Sequence, residues 1–183
     1  HDPPKFRYFD PIKTEQRSVW IKEVKLPRAK QTHEVCFEPL SRHVLVSQMS
    51  SSVLVRIKVR DDGFLEDDQD AWTIGKVDKM TGEGISGLHN ISLSHKNRGC
   101  VWLSLQYANT IILVEVETMI VRKVMRVPIE LKDGTKIGGP HCVRECTKTG
   151  RIFVALKGAI ACHPQTDAET KTMKLKQALE RAC

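Results

Sequence analysis

The sequence predicts an all-β chain of repeated four-stranded antiparallel units, with a short helix at its C-terminal end. The first observation is self-similarity anchored on histidine. Thr32-His33-Glu34-Val35 is followed by Val44-Leu45-Val46-Ser47, and Leu88-His89-Asn90-Ile91 by Val101-Trp102-Leu103-Ser104. Pro140-His141-Cys142-Val143 is followed by Ile152-Phe153-Val154-Ala155. The second apolar run begins 11, 12 and 11 residues after the His, and the anchors lie 56 and 52 residues apart. A period of this size points to repeat architecture. The second observation is a polar turn inside each unit: Pro39-Leu40-Ser41-Arg42, Lys96-Asn97-Arg98-Gly99 and Thr147-Lys148-Thr149-Gly150. Such residues reverse a chain between strands. The third is β-branched and aromatic enrichment in the runs that the turns separate. Four antiparallel strands per unit, joined by a loop to the next His, describe a blade, and the whole describes a partial β-propeller.

Each unit reads strand by strand. After the His strand and its return, a third strand runs from Val53 to Val59 in the first unit and from Thr110 to Val116 in the second. A fourth is visible from Val121 to Pro128, and Val19 to Pro27 has the same character. Both alternate apolar with polar residues, as half-exposed outer strands do, and both end in Pro. Trp72 to Val77 is the less regular equivalent in the first unit. The domain reading is an N-terminal extension over 1–17, propeller blades over 18–160 and a helical tail over 161–183. In that tail Thr166-Asp167-Ala168-Glu169 forms a capping box, and Leu175, Ala178, Leu179 and Ala182 follow helical spacing.

The blades resemble those of the streptogramin lyase (virginiamycin B lyase-like) propellers. Their blade pattern is similar to Gly-Pro-His-Gly-Ile, a gap, Leu-Trp-Phe-Thr-Glu and Asn-x-Ile-Gly-Arg-Ile. Gly139-Pro140-His141-Cys142-Val143 and Gly87-Leu88-His89-Asn90-Ile91 match the first part. Val101-Trp102-Leu103-Ser104-Leu105 matches the second, with Asn109-Thr110-Ile111 in register for the third. Ser52-Val53-Leu54-Val55-Arg56-Ile57 occupies those last positions in the first unit. The resemblance covers roughly residues 18 to 158. It implies a metal-dependent carbon–oxygen lyase that opens a cyclic depsipeptide by elimination, using a His base, a Glu and magnesium. The match places His89 or His141 in the general-base role. The acidic position falls on Gln48, Leu105 and Leu156, none of them a carboxylate. Glu34 and Glu145 are near in sequence but outside that motif.

The visible units fall short of a 4–8-bladed ring. With a start at His1 instead of Met, the chain reads as a fragment of a larger propeller, or one that self-associates through exposed strand edges. The non-Met start and the six cysteines lean towards a secreted setting. Cys142, Cys146, Cys162, His141 and His163 include zinc-ligand types, but Cys-x-x-x-Cys within a strand lacks the paired-knuckle spacing, and core cysteines are the reading adopted. The net charge of +7 comes from 29 basic and 22 acidic residues scattered over the strands, which argues against a specific nucleic-acid site. No apolar run reaches the ~20 residues that span a bilayer, so no membrane partner is expected. Asp61 to Asp70 reads as an exposed acidic loop whose spacing does not fit an EF-hand.

In a propeller the segments entering the innermost strands gather at one end of the central channel. His33, His89 and His141 are therefore the candidate ligand-binding residues, able to act as bases or ligands near neutral pH. Alternatively, each His bonds the backbone of the neighbouring blade. The expected partner is a small molecule or protein at the channel mouth. The function expected is a binding scaffold; the alternative is the lyase, with magnesium, completed by carboxylates on further blades.

Overall fold

The computed structural model describes the backbone at 5–9, 20–26, 31–67, 73–76, 87–127, 139–156, 159–163 and 171–174. It is all-β, with three four-stranded antiparallel sheets and one two-stranded sheet among the described residues. Strands β1 (Lys5–Phe9) and β2 (Trp20–Lys25) form the pair. The first blade is β3 (Thr32–Glu38), β4 (His43–Gln48), β5 (Val53–Lys58) and β6 (Thr73–Lys76), in sequential order. The second is β7 (Leu88–Leu93), β8 (Cys100–Leu105), β9 (Thr110–Glu115) and β10 (Ile120–Arg126). The third is β11 (Pro140–Glu145), β12 (Ile152–Leu156), β13 (Ala159–His163) and β14 (Lys171–Lys174).

Three of these elements, β1, β13 and β14, differ from the sequence reading. The sequence places the end of the blades at residue 160, with a helical tail over 161–183. Instead β13 pairs with β12 from Ile152↔His163 to Leu156↔Ala159, and β14 pairs with β13. Ladder pairing covers the backbone edge that β12 would otherwise present to water. The capping box at 166–169 and the helical spacing at 175–182 lie outside the described residues. At the other end, β1 falls within the expected extension of 1–17 and pairs with the predicted outer strand β2.

The core lies between blades, because a strand buried on both faces feeds two neighbours with alternate side chains. On β8, Val101, Leu103 and Leu105 pack with Leu45 and Leu54 of the first blade. Trp102 and Cys100, pointing the other way, pack with Val143, Ile152 and Val154 of the third. On β9, Ile112 and Val114 join the former cluster, while Ile111 and Leu113 join the latter. Val24 and Leu26, on and after β2, pack on Val44, Val46, Val53 and Val55 of the first blade. Val127, just after β10, makes the matching contact with the third blade. Outer strand β10 is half-exposed along its length, with alternating exposed and partly buried residues.

Polar ties reinforce each boundary. Glu145 is buried, and its carboxylate accepts from Ser94 Oγ (2.7 Å), Lys96 N (2.7 Å) and Trp102 Nε1 (3.0 Å) of the second blade. Arg56 Nη1 on β5 donates to the Val116 carbonyl at 2.6 Å and also to that of Glu117. The described part of the acidic loop, 61–67, is ion-paired: Arg42 meets Asp61 at 2.7 Å, and Arg60 meets Asp62 at 2.8 Å.

Candidate functional site

The histidines sit where each innermost strand breaks register. The pairing is irregular between Thr32 and Val35, between Leu88 and Asn90, and between Pro140 and Cys142. A bulge re-aims the side chain it carries. The glycine before two of them has a steric cause. Gly87 adopts φ +65° and lies under the Tyr107 ring. A Cβ at Gly139 would overlap the Gln106 carbonyl oxygen.

A hydroxyl one strand back fills each of the first two bulges. Ser47 Oγ accepts from Glu34 N at 3.0 Å and lies 3.3 Å from the His89 carbonyl oxygen. Ser104 Oγ accepts from Asn90 N at 3.0 Å and donates to the His141 carbonyl at 3.0 Å. Ala155 occupies the equivalent place in the third blade, without a hydroxyl.

The three rings come together. His89 stands between the others, with centroids 3.8 Å from His33 and 3.6 Å from His141, tilted by 50° and 47°. His33 and His141 are 6.4 Å apart. His89 is 5% exposed, whereas the other two are exposed. Burial, and then the charges that His33 and His141 would carry, push the His89 imidazole down to about 4. A hydrogen bond to the His141 backbone acts in the opposite direction. His89 Nδ1 is buried without a hydrogen-bond partner. The ring is thus a neutral base at neutral pH, and it also touches the neighbouring backbone.

Magnesium does not fit this donor set. A hard cation asks for oxygen ligands, usually carboxylates. The cluster offers imidazole nitrogens, and Gln48, Leu105 and Leu156 stand at the acidic positions, all buried. Gln48 Nε2, a donor, is buried and unpartnered. The carboxylate of Glu145 is already held by three donors. Among the described residues no group of three or more His, Cys, Asp or Glu is arranged to hold a metal. Cys142 and Cys146 are free thiols.

The sequence reading missed the inner-strand residues beyond the histidines. Three residues after each His stand Cys36, Ser92 and Arg144, and all three line one cavity. The repeat register itself would have gathered them.

The chain matches no family model and no curated protein. In structure it is similar to a protein from Lactobacillus plantarum, at TM-score 0.62 and 15% identity, over 86% of this chain and 47% of that one. It is similar to a functionally unknown protein from Desulfotomaculum acetoxidans, at TM-score 0.60 and 13% identity, over 86% and 44%. A catalytically inactive virginiamycin B lyase from Staphylococcus aureus, solved with quinupristin, gives TM-score 0.59 and 11% identity over 87% and 46%. The chain spans less than half the length of each. At such identities the likeness is one of architecture: this chain has a β-propeller-like fold.

Proposed function

We propose that the chain is a binding scaffold of the virginiamycin B lyase-like type, engaging a ligand or partner where His33, His89 and His141 meet, and not a working lyase. The observation that carries this reading is the pairing of a clustered, neutral His89 with Gln48, Leu105 and Leu156 at the acidic positions. A base is present, but elimination also needs a group that stabilises the enolate-like charge. The exposed imidazoles of His33 and His141 suit stacking with a planar ligand.

Two measurements test it. Quinupristin incubated with the chain and magnesium should keep its retention time. Ring opening by elimination would instead move an isomer of unchanged mass to a new position. Loss of that turnover in His89→Ala would establish the lyase in place of the scaffold. Separately, saturation-transfer NMR with indole, quinoline and adenine should detect binding that His33→Ala and His141→Ala weaken. Binding unchanged in both variants, or none at all, would remove the site from the cluster.

A further inference from the structure

We infer a second binding site, for the carboxylate of a small aliphatic acid, in the cavity between the inner strands β3, β7 and β11. The cavity holds about 310 Å³, and Glu34, Val35, Cys36, Ile91, Ser92 and Arg144 are among its lining residues. None of the three clustered histidines lines it, so the cavity is separate from the histidine cluster.

Arg144 is the cationic anchor. Its Nη1 donates to Asn90 Oδ1 at 3.2 Å and to the Val143 carbonyl at 2.9 Å. These bonds fix one corner of a planar five-donor fork whose geometry matches a carboxylate. The same Asn90 Oδ1 accepts from Val143 N at 3.0 Å, so the anchor is tied to the blade boundary. Ser92 supplies the second donor. Its hydroxyl is buried and has no hydrogen-bond partner among the described residues, although buried polar groups are normally satisfied. A ligand oxygen would satisfy it.

The remaining lining sets the ligand class. Val35 and Leu93 offer apolar surface for an alkyl chain. Burial pushes the Cys36 thiol up to about 11, so it brings no competing negative charge. Glu145 lines the cavity, but its carboxylate is engaged by Ser94, Lys96 and Trp102. His95 also lines it. Glu34 is the carboxylate that a bound acid meets, and it disfavours a second negative charge on the ligand. The site therefore selects a monocarboxylate over a dicarboxylate or inorganic phosphate.

The test is calorimetric titration of the 183-residue chain with hexanoate, succinate and inorganic phosphate. Hexanoate should bind saturably and more tightly than the other two. Arg144→Gln should weaken it by roughly tenfold or more, the loss of a charge-assisted bond. Arg144→Lys keeps the charge without the fork and should fall between. Glu34→Gln should raise the affinity for succinate, while His33→Ala should leave hexanoate unaffected. No saturable hexanoate binding would overturn the site. So would equal binding by Arg144→Gln or Arg144→Lys with an unchanged far-UV spectrum, or succinate binding as tight as hexanoate in the unaltered chain.

Discussion

Ser104 Oγ donates to the carbonyl of His141 across the boundary between two sheets, at 3.0 Å, while accepting from Asn90 N on its own sheet. One buried hydroxyl therefore satisfies a bulged amide and holds the next histidine in place. Removing it strands a buried N–H and a C=O together, a penalty of about 1–3 kcal/mol for such groups. Ser104→Ala should lower the urea midpoint accordingly. Ser104→Thr, which keeps the oxygen, should fall between the two.

Gly139 is pressed against the turn of the preceding blade. An added methyl would overlap the Gln106 carbonyl oxygen and come within 2.9 Å of Asn109 Oδ1. Gly139→Ala should destabilise the chain by about 1–3 kcal/mol through overpacking. Gly63, at φ +84° with open space around it, is the contrast. There Gly63→Ala should cost about 1–2 kcal/mol, from backbone strain alone. Thermal melts of the pair separate crowding from conformation.

The buried imidazoles make stability depend on pH in a defined window. His89 is held down to about 4, and burial also lowers His43. The unfolded chain binds these protons at about 6.5, so between pH 4 and 6.5 it carries more of them than the folded chain. Stability is complete above about 6.5 and falls as pH drops towards 4. The urea midpoint should decline across that window, and His89→Gln should flatten much of the decline, with His43 and, towards pH 4, the lowered Glu38 and Glu115 carboxylates contributing to the rest. Imidazole ¹⁵N spectra at pH 5.5 should show a neutral His89 in the native chain.

Thiol reactivity should follow environment. Burial raises the Cys36, Cys100 and Cys142 thiols, whereas hydrogen bonds from Thr149 lower Cys146. The thiolate is the nucleophile. With limiting iodoacetamide at neutral pH, peptide mapping should find Cys146 alkylated ahead of the other three.

Strands and blade register were legible because a period of two is hard to mimic. His33, His89 and His141 aligned by spacing, and the aligned positions do converge. What remained hidden depends on contacts across sheets. Nothing local distinguishes buried His89 from exposed His33 and His141; the difference is that His89 has a blade on either side. The strands β13 and β14 were missed because Ala159-Ile160-Ala161-Cys162-His163 has a single β-branched residue and Lys171-Thr172-Met173-Lys174 is mostly polar, so neither carries the β-branched enrichment of the other strands. Arg144 and Ser92 looked like ordinary strand residues until three inner strands were set beside each other.

The two-sided strands have a further consequence, for how disturbances spread. Neighbouring positions on β8 answer to different partners, since Leu103 packs towards Leu45 and Trp102 towards Val154. Odd and even residues are in effect separate addresses on one strand. A double-mutant cycle pairing Leu103→Ala with Leu45→Ala should show coupling, and one pairing Leu103→Ala with Val154→Ala should be close to additive. Damage at one address would then loosen a single seam and leave the opposite seam of the same sheet intact.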